Sequence, residues 1–405
     1  MNVLYISYDG ALDPLGHSQI IPYLAGLSKN GISFTLLTYE KREKLNDLNK
    51  VARLSEYLRS NNIRWERLVY HKSPTLPATL YDIFRGTLRG IRIILKNDID
   101  LIHARSFVGA MPALFLTKIF KCKLLYDNRG FYPEERVDGN IWKNNSLLYK
   151  AAKLCERICQ ENADWIVCLT GKAQNIIRAL PYLKRKDRVT VIPTCSDTDR
   201  FTVTPKNNQI LKRLNLEDRF TFVYSGSIGT WYMLDEMLDF FKIAKQLHPK
   251  SFFLLLTSWV DLVKRKAKEK AIDPKDMHVE FVEYDNIPDW LSVADAGIFF
   301  IRPSYSKKSS CPTKFAEILA CGLPVIINSG VGDTDTYVLK YDLGVVVKRF
   351  SDEEYRSAFK KIKEAVKSDG NRDYRYRCRK AAEDFFSLKS GIENYKNIYE
   401  KLNHS

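Results

Sequence analysis

The chain has 405 residues, 45% of them hydrophobic and 12% aromatic, which is too long for one ordinary core and too apolar for disorder, so two globular domains are expected. Its net charge of +16 calls for an anionic partner. With no zinc finger, RRM signature or similar module in view, phosphorylated substrates and anionic lipid headgroups stand ahead of nucleic acid.

The opening MNVLYISYDG lacks the basic stretch and apolar run of a secretory signal. No window approaches the roughly 18–20 apolar residues of a membrane span, so a cytoplasmic protein is expected. The eight cysteines show no paired spacing and are expected to be reduced and packed as small hydrophobes.

Along the first half, NVLYIS (2–7), SFTLLT (33–38), DLIHA (100–104), KLLYD (123–127), DWIVCLT (164–170) and VTVIP (189–193) alternate with helical patterns. Continuous apolar strands separated by helices predict a parallel sheet covered on both faces. The loop YDGALDPLGHSQIIPYL carries Asp9, Gly10, Gly16 and His17 before a helix starting near Ser18. It departs from G-x-G-x-x-G, which argues against a nicotinamide enzyme. Gly16 either lets a phosphate or sugar approach the backbone closely or is a turn glycine ahead of a serine cap.

Residues 80–98, LYDIFRGTLRGIRIILKND, set Leu80, Ile83, Phe84, Leu88, Ile91, Ile94 and Leu95 against Arg85, Arg89, Arg92 and Lys96. Such a basic amphipathic helix either lies in a membrane interface or lays its apolar face on the sheet. Residues 1–200 hold 31 Lys and Arg against 20 Asp and Glu, so the positive excess sits mainly there. His103 falls at the carboxyl end of a strand, where a lone histidine is ordinarily a satisfied structural residue. The loop DNRGFYPEERVDG (127–139) adds Asp127, Arg129, Glu134, Glu135 and Arg136, a charge density suited to acceptor binding or to a solvated loop.

The polar DTDRFTVTPKNNQILKRLN places an interdomain connection near 197–210. Beyond it FTFVYSG (220–226), FFLLLTS (252–258), HVEFVEY (278–284), DAGIFFI (295–301), PVIIN (324–328) and GVVVK (344–348) begin the pattern again. Two tandem Rossmann-like domains follow, 1–197 and 205–387. The chain is helical and charged from about 352, with a last helix at about 388–405 that is free to pack back on the first domain. Ligands of such sheets bind at the carboxyl ends of the strands.

One of those ends is followed by RPSYSKKSS and then PTKFAEILAC, a helix that Pro312 opens and Gly322 caps. Its first turn is a ready diphosphate site, with Arg302, Lys307, Lys308 and Lys314 nearby. Glu317, opposite the face of Phe315, Ile318 and Leu319, would be repelled by phosphate but suits ribose hydroxyls; alternatively it decorates a solvated face. Trp231 and Tyr232 stack on a sugar or base, or are core aromatics.

PTKFAEILACGLPVI resembles the signature of the family 4 retaining glycosyltransferases of the GT-B fold, in which the glutamate holds the donor ribose. VIPTCSDTDRF (191–201), FVYSGSIG (222–229) and ADAGIFFIRPS (294–304) are similar to further motifs of that family. The resemblance implies an α/β GT-B architecture of two Rossmann-like domains facing a central cleft, the first binding acceptor and the second a nucleotide-diphosphate sugar.

It further implies retaining, hexosyl-type transfer to a glycan or lipid-linked acceptor in polysaccharide or glycolipid biosynthesis. No cofactor and no metal are expected to take part. Apart from the resemblance, the basic helix at 80–98 and the positive excess of the first half make peripheral contact with the inner face of an anionic membrane an expectation. His103 and Arg129 are the residues expected nearest the chemistry. The donor-binding set is Gly16, Gly226, Ser227, Arg302, Ser309, Ser310, Thr313, Lys314 and Glu317.

The chain departs from the family at Ser309, where a first carboxylate is usual. It departs again at Ser227 and at Tyr232 or Met233, where cations are usual. Phosphate duty is therefore expected to pass to the amides of Thr313 and Lys314 and to one of the nearby cations. The alternatives are a nucleotide-sugar epimerase or phosphorylase on the same fold, or a non-catalytic binding member of a glycan-assembly complex.

Overall fold

The computed structural model describes residues 1–367 and 372–403. The first sheet contains β1 (Asn2–Ser7), β2 (Ser33–Glu40), β3 (Ile63–Val69), β4 (Leu101–Arg105), β5 (Lys123–Asn128), β6 (Trp165–Cys168) and β7 (Val189–Val191). The second contains β8 (Phe220–Ser225), β9 (Ser251–Leu256), β10 (Met277–Glu280), β11 (Ala296–Phe299), β12 (Val325–Asn328) and β13 (Gly344–Val347). Their orders are β3-β2-β1-β4-β5-β6-β7 and β10-β9-β8-β11-β12-β13. Every ladder is parallel.

Both sheets are doubly wound, because connections run outward from one inner pair of strands. β1 beside β4 forms that pair in the first sheet and β8 beside β11 in the second. β3, reading IRWERLV, was not foreseen. It is an edge strand in which Arg64, Glu66 and Arg67 interrupt the apolar residues, so it lacks the continuous apolar run of its neighbours.

Two compact units hold these sheets: Met1–Pro193 together with Leu388–Ser405, and Thr194–Ser387. In the second, Phe222, Phe240, Phe241 and Phe359 pack in mostly edge-on contacts. The charged stretch after 352 forms helices Asp352–Lys367 and Arg372–Phe386, with 368–371 outside the described residues. The last helix, Leu388–Asn403, packs on helix Ile21–Ser28 of the first unit and buries Tyr395, Ile398, Tyr399 and Leu402. Residues 404 and 405 of the expected span lie outside the described residues. All eight cysteines are free.

Helix Thr75–Lys96 was expected at 80–98, with its apolar face as one candidate for contact with the sheet. Instead it buries Ala78, Asp82, Gly86, Gly90 and Ile93. A Cβ on Gly86 would stand 1.8 Å from the Tyr39 hydroxyl, and one on Gly90 would stand 2.4 Å from a Leu116 methyl. Glycine is thus required for close approach, and Leu80, Phe84, Leu88 and Leu95 are turned outward while Ile83, Ile91 and Ile94 are half-buried against the core. Tyr39 is buried and donates to the Asp82 carbonyl at 2.9 Å, so it cannot yield cheaply. Gly86→Ala is expected to destabilise the protein by about 2 kcal/mol through overpacking, read as a lowered urea midpoint at unchanged slope.

Candidate functional site

In the second unit the chemistry-bearing loops leave β8 and β11, where connections diverge. Ligands of doubly wound sheets settle at such a place. The segment after β8 is stitched to the end of β11: Met233 N donates to Phe300 O and Arg302 N to Trp231 O, each at 2.9 Å. The Asn328 side chain clamps the same edge, accepting from Ile301 N and donating to Ile301 O at 2.8 Å each. Trp231 and Tyr232 are thereby fixed against the loop that carries Arg302 and Lys307.

Gly226 ends β8 at φ +123, and its N–H donates to Leu256 O at 2.9 Å. A Cβ there would lie 3.0 Å from Lys314 Nζ, so both backbone and space call for glycine. Ser227 beside it is exposed. Its carbonyl accepts from the Tyr224 hydroxyl at 2.5 Å, and that hydroxyl in turn accepts from Lys314 Nζ at 3.0 Å.

Helix Thr313–Ala320 has Pro312 as its N-cap and ends at Gly322 with φ +73. The amides of its first two residues, Thr313 and Lys314, have no intrahelical partner by the geometry of an α-helix, while Phe315 N donates to Pro312 O at 3.0 Å. Lys314, only 6% exposed, lays its ammonium over the rings of Tyr232 and Tyr224, at 3.5 and 4.2 Å from their centroids. Burial pushes its pKa well below the usual lysine value, against a smaller pull from Glu317.

Glu317 is 7% exposed, so the solvated-face alternative is set aside. Its Oε1 accepts from the Tyr284 hydroxyl at 3.0 Å. Arg200 stacks on Tyr284 at 4.8 Å. Burial raises the Glu317 carboxyl to about 7, although Tyr284, Lys314 and Arg200 each draw it down.

Lys307 and Arg302 both stand over Trp231, at 3.8 and 5.0 Å, while Lys308 is exposed and over Tyr305. Ser309 is buried and donates to Ser306 O at 2.7 Å, so its hydroxyl closes a 3-10 turn. Ser310 and Thr313 are half-buried around the helix start. Gly226, Arg302, Lys314 and Glu317 are therefore brought to one end of one sheet.

Tyr284 and Tyr224, which hold Glu317 and Lys314, were missed from sequence. Tyr284 was read as the end of a strand, HVEFVEY, but β10 stops at Glu280 and Tyr284 opens a 3-10 turn. The aromatic-then-polar rhythm of EYDN was the available signal.

The first unit treats its candidates differently. Gly16 lies within the short helix Pro14–Gln19, not ahead of a helix at Ser18, and a Cβ on it would meet Gly10 O at 2.4 Å and Ala11 O at 2.5 Å. The loop's own backbone fills the space its hydrogen faces. His103 is 2% exposed, its Nδ1 2.6 Å from the Tyr399 hydroxyl and its ring packed by Tyr5, Tyr395 and Tyr399. Burial lowers its pKa, against the opposing pull of Asp127.

Asp127, buried, lies 3.6 Å from both His103 Nε2 and Arg105 Nη1 and 3.5 Å from Arg129 Nη1. Burial alone would raise its carboxyl, yet Arg129, His103 and Arg105 together hold it well below the usual range. The last helix thus closes over a charge cluster containing both residues expected nearest the chemistry.

Two family models match the chain, Glycosyltransferase Family 4 over residues 23–200 and Glycosyl transferases group 1 over residues 206–385. No curated protein matches by sequence. Among solved structures, sucrose-phosphate synthase from Thermosynechococcus elongatus is 14% identical with a TM-score of 0.75, covering 100% of this chain and 99% of that one. A glycosyltransferase from Rickettsia africae is 15% identical with a TM-score of 0.74, covering 99% and 98%. Anabaena HepE in complex with UDP is 14% identical with a TM-score of 0.72, covering 100% of each chain. At these identities the likeness establishes the fold.

Proposed function

The chain belongs to the GT-B glycosyltransferases of the family 4 type, and on that footing we infer that it moves a hexosyl-type sugar, with retention, from a nucleoside-diphosphate donor to a glycan or lipid-linked hydroxyl. The second unit holds the donor and the first the acceptor, in polysaccharide or glycolipid assembly. The observation that carries the reading is the buried pair on one helix, Glu317 on Tyr284 and Lys314 in its tyrosine cage.

The carboxylate of Glu317 accepts from the donor's ribose hydroxyls, one turn beyond the amides of Thr313 and Lys314, which receive the diphosphate. As the glycosidic bond breaks, negative charge grows on the leaving phosphate. Preorganised amides and the Lys314 ammonium stabilise it there. Lys314 Nζ lies beside Gly226, 3.0 Å from where a Cβ on it would stand, and it takes the place of the cations that are absent at Ser227 and Tyr232.

His103 and Arg129 act from behind the surface: with Asp127 and Arg105 they set the charge and rigidity of the first unit's switch point. Titration with UDP, the nucleotide held by the Anabaena relative, alongside GDP tests the donor half of this reading. Either nucleotide, binding only the native form, raises the melting temperature. Failure of every nucleoside diphosphate and nucleotide sugar to do so would overturn it.

The carboxyl value near 7 adds a pH signature. Ribose hydroxyls donate to the ionised form, so nucleotide affinity gains on the order of tenfold between pH 6 and pH 8 from this group. The sign on stability is opposite. A folded pKa raised above its unfolded value stabilises fully at low pH, and that contribution fades as pH rises through about 7. Calorimetric affinities across this range for wild type and Glu317→Gln isolate the effect: the variant's profile lacks the Glu317 rise.

A further inference from the structure

Helix Thr75–Lys96 presents a face that its own unit does not use. Phe84 and Leu95 are 58% and 70% exposed, and Leu80, one turn before Phe84, and Leu88, one turn after it, are exposed in the same stripe. Gly86 sits against Pro112 and Gly90 against Leu116, so helix Ser106–Phe120 runs alongside in parallel. That neighbouring helix carries exposed apolar residues of its own, Phe115 and Ile119. The two buried glycines prevent the helix from rolling its apolar stripe inward, and the exposure is therefore a built property of the fold.

The rim is cationic. Arg85, Arg92 and Lys96 on the first helix and Lys118 and Lys121 at the end of the second are exposed. Arg89 is engaged with Glu66 and stands apart from this set. The two helices contain one carboxylate between them, Asp82, which is buried and holds His71 Nδ1 at 2.6 Å and the Tyr8 hydroxyl at 2.9 Å. An outward apolar stripe bordered by cations and free of acids is complementary to a bilayer carrying anionic headgroups. Leucine and phenylalanine enter the acyl boundary while arginine and lysine extend to the phosphates.

We propose that this two-helix face docks the protein on an anionic lipid surface. A second copy of the chain is a poor occupant, since a two-fold contact would set the arginines of one copy against those of the other. The proposal deepens the lipid-linked acceptor reading by naming the surface that meets the acceptor's membrane. Binding to vesicles is measured without any transfer reaction, and UDP stabilisation on the same preparation reports the donor site separately.

The test is co-sedimentation of the full chain with vesicles of phosphatidylcholine alone and of equal parts phosphatidylcholine and phosphatidylglycerol, at low and high salt. The protein is expected to bind the mixed vesicles, to leave the neutral ones free, and to weaken as salt rises. Phe84→Ser with Leu88→Ser, and separately Arg85→Gln with Arg92→Gln, should each lower vesicle affinity by on the order of tenfold or more. All four positions are solvent-facing, so melting temperature and UDP stabilisation stay as in wild type.

Absence of binding to mixed vesicles at low salt overturns the proposal, as does undiminished binding by both double variants. Light scattering provides a third arm. A wild-type dimer that the serine pair dissolves, with no vesicle binding, would assign the face to self-association instead.

Discussion

Glu317→Gln is expected to reduce kcat/KM for the nucleotide-sugar donor by about 30- to 1000-fold, carried mainly by KM. Each hydrogen bond from a neutral donor to an ionised acceptor is worth about 1.5–3 kcal/mol, and a ribose offers two hydroxyls. An amide keeps the shape of the side chain and its contact with Tyr284 but loses the charge and one acceptor. Because ribose is held alike before and during bond breaking, the loss falls on uniform binding. Steady-state kinetics at pH 8 with donor varied would check it. A change smaller than threefold would mean that the carboxylate does not meet the ribose.

Lys314→Met should act in opposite directions on stability and on turnover. The ammonium is buried over Tyr224 and Tyr232, and burial disfavours its charge. A methionine of similar reach fits the same cage without that cost. Burying an ammonium away from water is costly unless it is paired, and removing that cost is expected to raise the melting temperature by a few degrees. Turnover, however, loses the cation facing the leaving diphosphate, for which a fall of about 10²–10³-fold in kcat is expected. A variant both less stable and fully active would show that Lys314 is a packing residue with no part in transfer.

The two residues differ in how visible they are from sequence. Glu317 stands out because a small-residue helix with a proline at its start and a glycine at its end has no local reason for a carboxylate. Lys314 was one of four nearby cations, and what distinguishes it is a cage whose second wall, Tyr224, lies 90 residues earlier. The same limit governs His103. Its strand-end position was legible, while the ring that covers it comes from Tyr399, 296 residues later.

Strand pattern was read correctly wherever both faces of a strand are buried, as in β1, β8 and β9. It failed at β3, where an edge position lets charged residues break the apolar run. Helix Thr75–Lys96 is legible as amphipathic, while its orientation stays open in the sequence between a membrane interface and the sheet. Periodicity marks a large-residue face and a small-residue face, and only the partners Tyr39 and Leu116 decide that the small face goes in.

The return of Leu388–Asn403 to the first unit has a temporal meaning for biosynthesis. During translation the opening sheet emerges early, but Tyr395 and Tyr399 arrive only after some two hundred intervening residues have been made. Until then Tyr5, Tyr23 and the ionic knot at Asp127 stand uncovered, a wet and sticky surface suited to chaperone capture. Completion of the first-made unit is thereby deferred until the second has been synthesised, so a nascent chain cut short anywhere within Thr194–Ser387 leaves both of them unfinished.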